Sequence, residues 1–148
     1  MKKKPPENEH ISLERILPDE LQAGESTGLE TLKLHLDRYR FAGQNITPGI
    51  VGDFACGSGY GSYLLATEFG DKAEQVVAAD IDPKAIEYAT KRYAHPKIKY
   101  ETADFTHFFP EQNLSTIISL ETIEHLNDPF HFIKRMADLL PAGGRLIA

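Results

Sequence analysis

The sequence predicts an α/β fold: a doubly wound, mostly parallel sheet with helices on both faces and strand order 3-2-1-4-5. Short apolar runs alternate along the chain with longer amphipathic stretches, the pattern of parallel strands joined by helical crossovers. Such crossovers are right-handed, so the first strand sits centrally and the order reverses between the first and fourth strands. Asp53, Gly57, Asp80, Asp104 and Leu120 fall at or just beyond the ends of successive apolar runs. Ligands of open α/β sheets bind at such ends, beside the switch point.

Taken in order, residues 1–9 are polar and Pro-containing and read as a disordered tail, with 10–148 as one domain. His10 to Leu17 has room for one or two helical turns before Pro18, and 18–28 reads as loop. Leu29, Leu32, Leu36 and Tyr39 recur at helical spacing and predict a helix over about 29–43. A first strand over about 50–54 leads into glycines and a helix over about 59–69 that stops before Gly70. A second strand covers about 75–79. Asp82 and Pro83 then open a helix as N-cap and first position, with Ile86, Ala89 and Tyr93 inward and an end before His95-Pro96. Alternation of Ile98, Tyr100 and Thr102 predicts a third strand over about 97–103, and a fourth covers about 114–120. Asn127-Asp128-Pro129 caps a last helix, with Phe132, Ile133, Met136, Leu139 and Leu140 inward, and Arg145 begins a fifth strand.

The stretch from Asp53 to Gly61, D-F-A-C-G-S-G-Y-G, carries the most chemistry. Glycines between a strand and a helix let the backbone turn with positive φ and let a ligand approach. The helix behind them presents free N–H groups. Asp80 closes the next apolar run, where a carboxylate suits the two hydroxyls of a ribose. The pattern therefore predicts a nucleoside-containing cofactor. A dinucleotide fingerprint is spaced G-x-G-x-x-G; here it is G-x-G-x-G, with Asp53 four residues before Gly57. That added negative charge disfavours a pyrophosphate and favours a cationic ligand.

These residues resemble the first motif of the class I S-adenosylmethionine-dependent methyltransferases, a Rossmann-like family. Asp80-Ile81-Asp82-Pro83 resembles that family's second motif and Tyr100 to Phe105 its third. Ile117 to Leu126 resembles the fourth-strand motif of its small-molecule members, and Leu139 to Ile147 the approach to strand five. The order and spacing match over roughly 30–148. The segments Glu14 to Pro18 and His35 to Ala42 also resemble a bacterial subgroup. The resemblance implies methyl transfer from S-adenosylmethionine to a small molecule, leaving S-adenosylhomocysteine. It implies that Asp53, Ala55, Gly57, Gly59, Asp80, Ile81, Asp104, Phe105 and Leu120 hold the cofactor. Within that set Asp80 takes the ribose hydroxyls, Asp104 the adenine amine with Phe105 on or near the ring, and Asp53 the methionine ammonium. Asp53 has a second reading, ordering the glycine loop. Arg38 and Tyr39 close over the cofactor carboxylate in the subgroup. Family members continue past strand five through a helix and an antiparallel pair of strands. Ending at Ala148 leaves out those last two strands, through truncation or as a minimal form, and makes strand five an edge with unpaired backbone groups; the expectation is that another chain covers it, a second copy being one candidate, or that the protein is poorly soluble.

Composition narrows the partners. The chain of 148 residues has net charge −6, which disfavours nucleic acid. No run is apolar and long enough to span a membrane, and no secretory signal opens the chain. The single cysteine, Cys56, cannot form an internal disulfide, so a reducing, cytoplasmic setting is expected. The six histidines show no metal-ligand spacing, and no metal is expected. Glu121, Glu124 and His125 are the candidates for proton transfer, with His125 foremost. Glu121 and His125 are spaced to share a helix face, and an imidazole titrates near neutral pH. Two other readings stand beside the enzyme: a module that binds the cofactor without turnover, and a nicotinamide-dependent dehydrogenase, which the glycine spacing and Asp53 disfavour.

Overall fold

The structure, a computed structural model, describes residues 17–18, 26–105, 107 and 110–148. The tail over 1–9 and the turns expected from residue 10 to 16 lie outside the described residues. The elements are α1 (Ser26–Gln44), β1 (Gly49–Phe54), α2 (Tyr60–Glu68), β2 (Ala73–Asp80), α3 (Pro83–Arg92), β3 (Ile98–Thr102), β4 (Leu114–Ile118), α4 (Pro129–Leu139) and β5 (Arg145–Ile147), with a 3₁₀ turn at Ile123–His125. The sheet order is β3-β2-β1-β4-β5, as expected from the sequence, and every neighbouring pair is parallel.

Strand alternation splits the core between the two faces. On β2, Val76 and Ala78 join Leu64, Leu65 and Ile86 beneath α2 and α3, with Tyr39 and Ala42 of α1 beside them. Val77 and Ala79 point the other way, into Phe54, Phe105, Ile117 and the α4 residues Phe132 and Met136. β1 and β2 are buried on both faces over most of their length, as central parallel strands are.

The helix starts follow the capping residues. Asp82 accepts from Lys84 N at 2.9 Å ahead of Pro83, and Asp128 accepts from His131 N at 2.9 Å ahead of Pro129.

On α1 Leu29 is exposed, and the buried side of the helix runs through His35, Tyr39 and Ala42. One inward assignment does not hold. Ile133 is exposed, because the side of α4 that packs on the sheet runs through Phe132, Met136 and Leu139. The segment expected to be helical from Glu121 to His125 is shorter than its spacing suggests. Glu121 has φ 53° and stands outside the 3₁₀ turn, so it shares no helix face with His125. No helix among the described residues is long and apolar enough to cross a membrane.

Candidate functional site

The carboxyl ends of β1, β2, β3 and β4 lie along one edge of the sheet, and the loops leaving them build the site. The bend after β1 stays attached to β2: Cys56 N donates to Ala79 O at 3.0 Å. Gly57 N then donates to Asp80 Oδ2 at 2.9 Å. The other carboxylate oxygen, Oδ1, accepts from Asp82 N at 2.9 Å. Asp80 thus fastens the glycine bend to the start of the α3 loop while keeping a little exposed surface, at 5%. Ala103 N donates to Asp80 O at 2.9 Å, bringing the β3 end alongside.

The glycines of the bend differ in what they serve. Gly57 has φ 58°, and nothing lies within 4 Å of where its Cβ would be, so it faces open space. Gly59 has φ 91°, and its missing Cβ lets Ala89 of α3 approach; a Cβ there would sit 2.6 Å from that of Ala89. It is also the N-cap of α2, and no side chain caps the first turn. The N–H groups of that turn therefore stand at the mouth of the bend.

Among the described residues, two without glycine's freedom adopt left-handed backbone: Ala55 at φ 63° and Glu121 at φ 53°. They follow the adjacent central strands β1 and β4. Both line one pocket of about 50 Å³, together with His35, Arg38, Tyr39, Cys56, Gly57, Ser58, Tyr60 and Leu120. Left-handed backbone at two such residues on one pocket makes it the candidate site. Its volume holds roughly four waters, the size of a small polar group. The Arg38 guanidinium pairs with the Glu121 carboxylate across its mouth, both half-exposed. Arg38, Leu120 and Glu121 also line an open trough of about 480 Å³ with Asp37, Phe41, Ile123, Glu124, Ile147 and Ala148.

Asp53 stands behind this pocket and not in its wall. It is fully buried, accepts from Ser62 Oγ at 2.6 Å, and accepts from Tyr39 Oη at 3.1 Å on one oxygen and 3.3 Å on the other. A side chain with no exposed surface has no direct reach to a ligand in the pocket; what it orders is the junction of α1, α2 and the bend. Burial pushes its carboxyl up to about 6, against the pull of the Ser62 and Tyr39 hydroxyls, with Asp80 adding to the rise. Between about pH 4 and 6 the folded chain holds a proton there that the unfolded chain has released. This group therefore stabilises the fold at low pH, and the contribution is lost as pH rises through about 6. The effect amounts to about 3 kcal/mol. Asp53→Asn is expected to compare more favourably with wild type at pH 7.5 than at pH 4.5 by about 2 kcal/mol, the part of that total that falls between those two pH values, measured by urea unfolding. A stability difference that is flat across this range would contradict a raised Asp53.

The remaining sequence candidates separate. Leu120 and Ala55 line the pocket. Ile81 is 64% exposed beside Asp80, a bare apolar side chain at the β2 end. Asp104 is exposed and lies 3.2 Å from His107 Nδ1. The Phe105 ring is instead buried, stacked on Phe54 at 6.5 Å and edge-on to Phe132 at 5.6 Å, so it belongs to the core. His125 is half-exposed, 4.0 Å from Glu124, and lines neither the pocket nor the trough.

Sequence reasoning passed over His35 and Tyr60 as site groups, and it named Arg38 and Glu121 without seeing that they pair. A histidine one turn before Arg38-Tyr39 was the available signal. Its partner, 25 residues later, was not visible as one.

Residues 52–148 match the family model described as a methyltransferase domain. The chain belongs to this family. The methyltransferase domain is 31% identical over 93 residues to a probable S-adenosylmethionine-dependent methyltransferase of Mycobacterium tuberculosis, covering 62% of this chain and 32% of that protein. It is 29% identical over 124 residues to phosphoethanolamine N-methyltransferase 1 of Arabidopsis thaliana, covering 81% of this chain and 24% of the plant protein. The chain spans about a third of the length of the first curated relatives it matches. Among solved structures, the N-methyltransferase NodS from Bradyrhizobium japonicum, crystallised with S-adenosyl-L-homocysteine, superposes with a TM-score of 0.65 at 19% identity, covering 78% of this chain and 59% of NodS. At that identity the likeness concerns the fold.

Proposed function

We propose that this methyltransferase domain binds S-adenosylmethionine and serves methyl transfer to a small-molecule acceptor in the cytoplasm. The observation that carries the reading is the 2.9 Å contact of Asp80 with the Gly57 N–H. The carboxylate that this reading gives to the ribose stands there beside a bend whose side-chain position is open, at the carboxyl edge of a parallel sheet. The family match and the relatives' printed activities support the same choice of cofactor. The net charge of −6 supports a small acceptor over a nucleic acid.

The residues present fit such a ligand in parts. The pocket, partly open and about 50 Å³, is too small for a whole nucleoside. The adenosine therefore lies outside it, along the strand ends past Asp80 and Ile81 towards Asp104, and the pocket takes the other end of the molecule. When bound, the cofactor supplies a methyl group already activated as a sulfonium. The chain's share is to hold and align it. Asp80 accepts from the ribose hydroxyls, Asp104 from the adenine amine, and Ala55 and Leu120 wall the pocket. His125, in the exposed loop after β4, is the proposed proton acceptor for a nucleophile that must lose a proton.

A thermal-shift comparison tests the reading. S-adenosylhomocysteine at a hundred times its dissociation constant should stabilise the chain by about 2.7 kcal/mol, while NAD should leave the midpoint unchanged. A shift with NAD alone overturns the assignment.

A further inference from the structure

The open trough beside the pocket has no role in the reading above. Its volume of about 480 Å³ lies within the range of small-molecule sites. It shares Arg38, Leu120 and Glu121 with the pocket, so the two cavities meet along one wall. Asp80, Ile81 and Asp104, along which the adenosine is placed, do not line it. A molecule in the trough therefore reaches the pocket from a second side.

The chemistry of the walls selects the occupant. Phe41 is 60% exposed there, and Leu120, Ile123 and Ile147 are partly covered, which gives the trough apolar surface. Its acids come from two distant parts of the chain: Asp37 from α1, and Glu121 and Glu124 from the loop after β4. The cation on the same wall is Arg38, whose guanidinium pairs with Glu121. From outside the wall, Arg40 reaches Asp37 at 3.4 Å while Glu68 also holds it at 3.1 Å, and His125 lies 4.0 Å from Glu124. Three carboxylates against one guanidinium leave the wall with an excess of negative charge. A carboxylate or phosphate is repelled from it and an ammonium is attracted. The exposed Phe41 ring offers a π face to the same charge. Glu121 adds a detail: a glycine would take its left-handed backbone at lower cost, so the turn itself does not call for this side chain. Its carboxylate stands on the wall common to both cavities.

We propose that the trough takes the methyl acceptor and that the acceptor is an amine carried on an apolar body, its ammonium drawn by Glu121 and Glu124 and its body laid against Phe41 and Ile123. This rests on the cofactor reading above and deepens it, because it names the acceptor class that methyl transfer by itself leaves open. The bound ammonium first yields one proton to the exposed loop where His125 stands. The nitrogen lone pair then forms the new bond to the methyl carbon as the C–S pair returns to sulfur, which gives a methylated ammonium and a neutral thioether.

The experiment is an NMR titration of the 148-residue chain with phenethylamine, phenylethanol and phenylpropanoate, which share one apolar body and differ in charge. The amine should bind about tenfold more tightly than the alcohol, the gain of two partly exposed ion pairs, and the carboxylate more weakly than the alcohol. Glu121→Gln and Glu124→Gln should each cut the amine's preference about threefold and leave the alcohol within about twofold. Ligand-free melting confirms that each variant is folded. With S-adenosylhomocysteine also bound, the amine should show a nuclear Overhauser contact to the protons beside the thioether sulfur. Equal affinity for amine and alcohol, a preference that neither variant moves, no binding of any probe, or a bound amine without that contact overturns the proposal. Failure of S-adenosylhomocysteine to bind the wild-type chain overturns instead the cofactor reading beneath it.

Discussion

Replacing Asp80 with alanine is expected to weaken S-adenosylhomocysteine binding by at least about tenfold, and by about a hundredfold if two ribose bonds of ~1.5 kcal/mol each are lost. The carboxylate has two tasks in the structure. It accepts the Gly57 and Asp82 N–H groups, and it keeps a small exposed surface beside the open side of Gly57. The first task bears on the folded state without ligand, because Asp80→Ala leaves both backbone donors without that acceptor. The second bears on ligand alone. Measuring the ligand-free melting point and the calorimetric affinity of the same variant separates them. An affinity within about twofold of wild type would remove Asp80 from the site and with it the reading of the bend as a cofactor cradle.

Gly61→Ala should be the most damaging small substitution for stability, at roughly 3 kcal/mol, or about 10 °C in midpoint. A Cβ at position 61 falls inside van der Waals contact with the Tyr39 ring. That ring cannot simply move aside, since its hydroxyl donates to the buried Asp53 carboxylate. Displacing it would leave a fully buried charge with one donor fewer, which costs more than the steric conflict alone. A double-mutant cycle checks the cause: in a Tyr39→Ala background, Gly61→Ala should be close to neutral. A loss below about 0.5 kcal/mol in the wild-type background would mean that α1 does not bear on α2 at this point.

The Gly61 result also explains why the glycine spacing alone was an incomplete guide. All three glycines read as one loop motif, yet only Gly57 faces open space; Gly59 admits α3 and Gly61 admits α1. Spacing records that a side chain is absent, and the fold decides what takes its place. Asp53 shows the same divide. Its position at a strand tip was legible from the sequence, but its burial under Ser62 and Tyr39 depends on two helices packing over it. Phe105 follows Asp104 in sequence and looked like a ring for the adenine, but the opposite face of the sheet claims it through Phe54 and Phe132. For Glu121 and His125, four residues apart, the helical spacing misled because the backbone turns left-handed at Glu121.

What the sequence determined by itself was the order of elements, the parallel sheet, and the acid and glycines at its carboxyl edge. These follow from short-range signals: apolar periodicity, Asp-Pro helix starts and a strand–glycine–helix junction, each contained within a few residues. Tertiary structure alone decided which of those residues face a ligand. It also brought His35 to Tyr60 and Arg38 to Glu121 across 25 and 83 residues of chain. The physical reason is that packing α1 over the bend joins groups with no local relation, and their burial and charge acquire meaning only once that surface has closed.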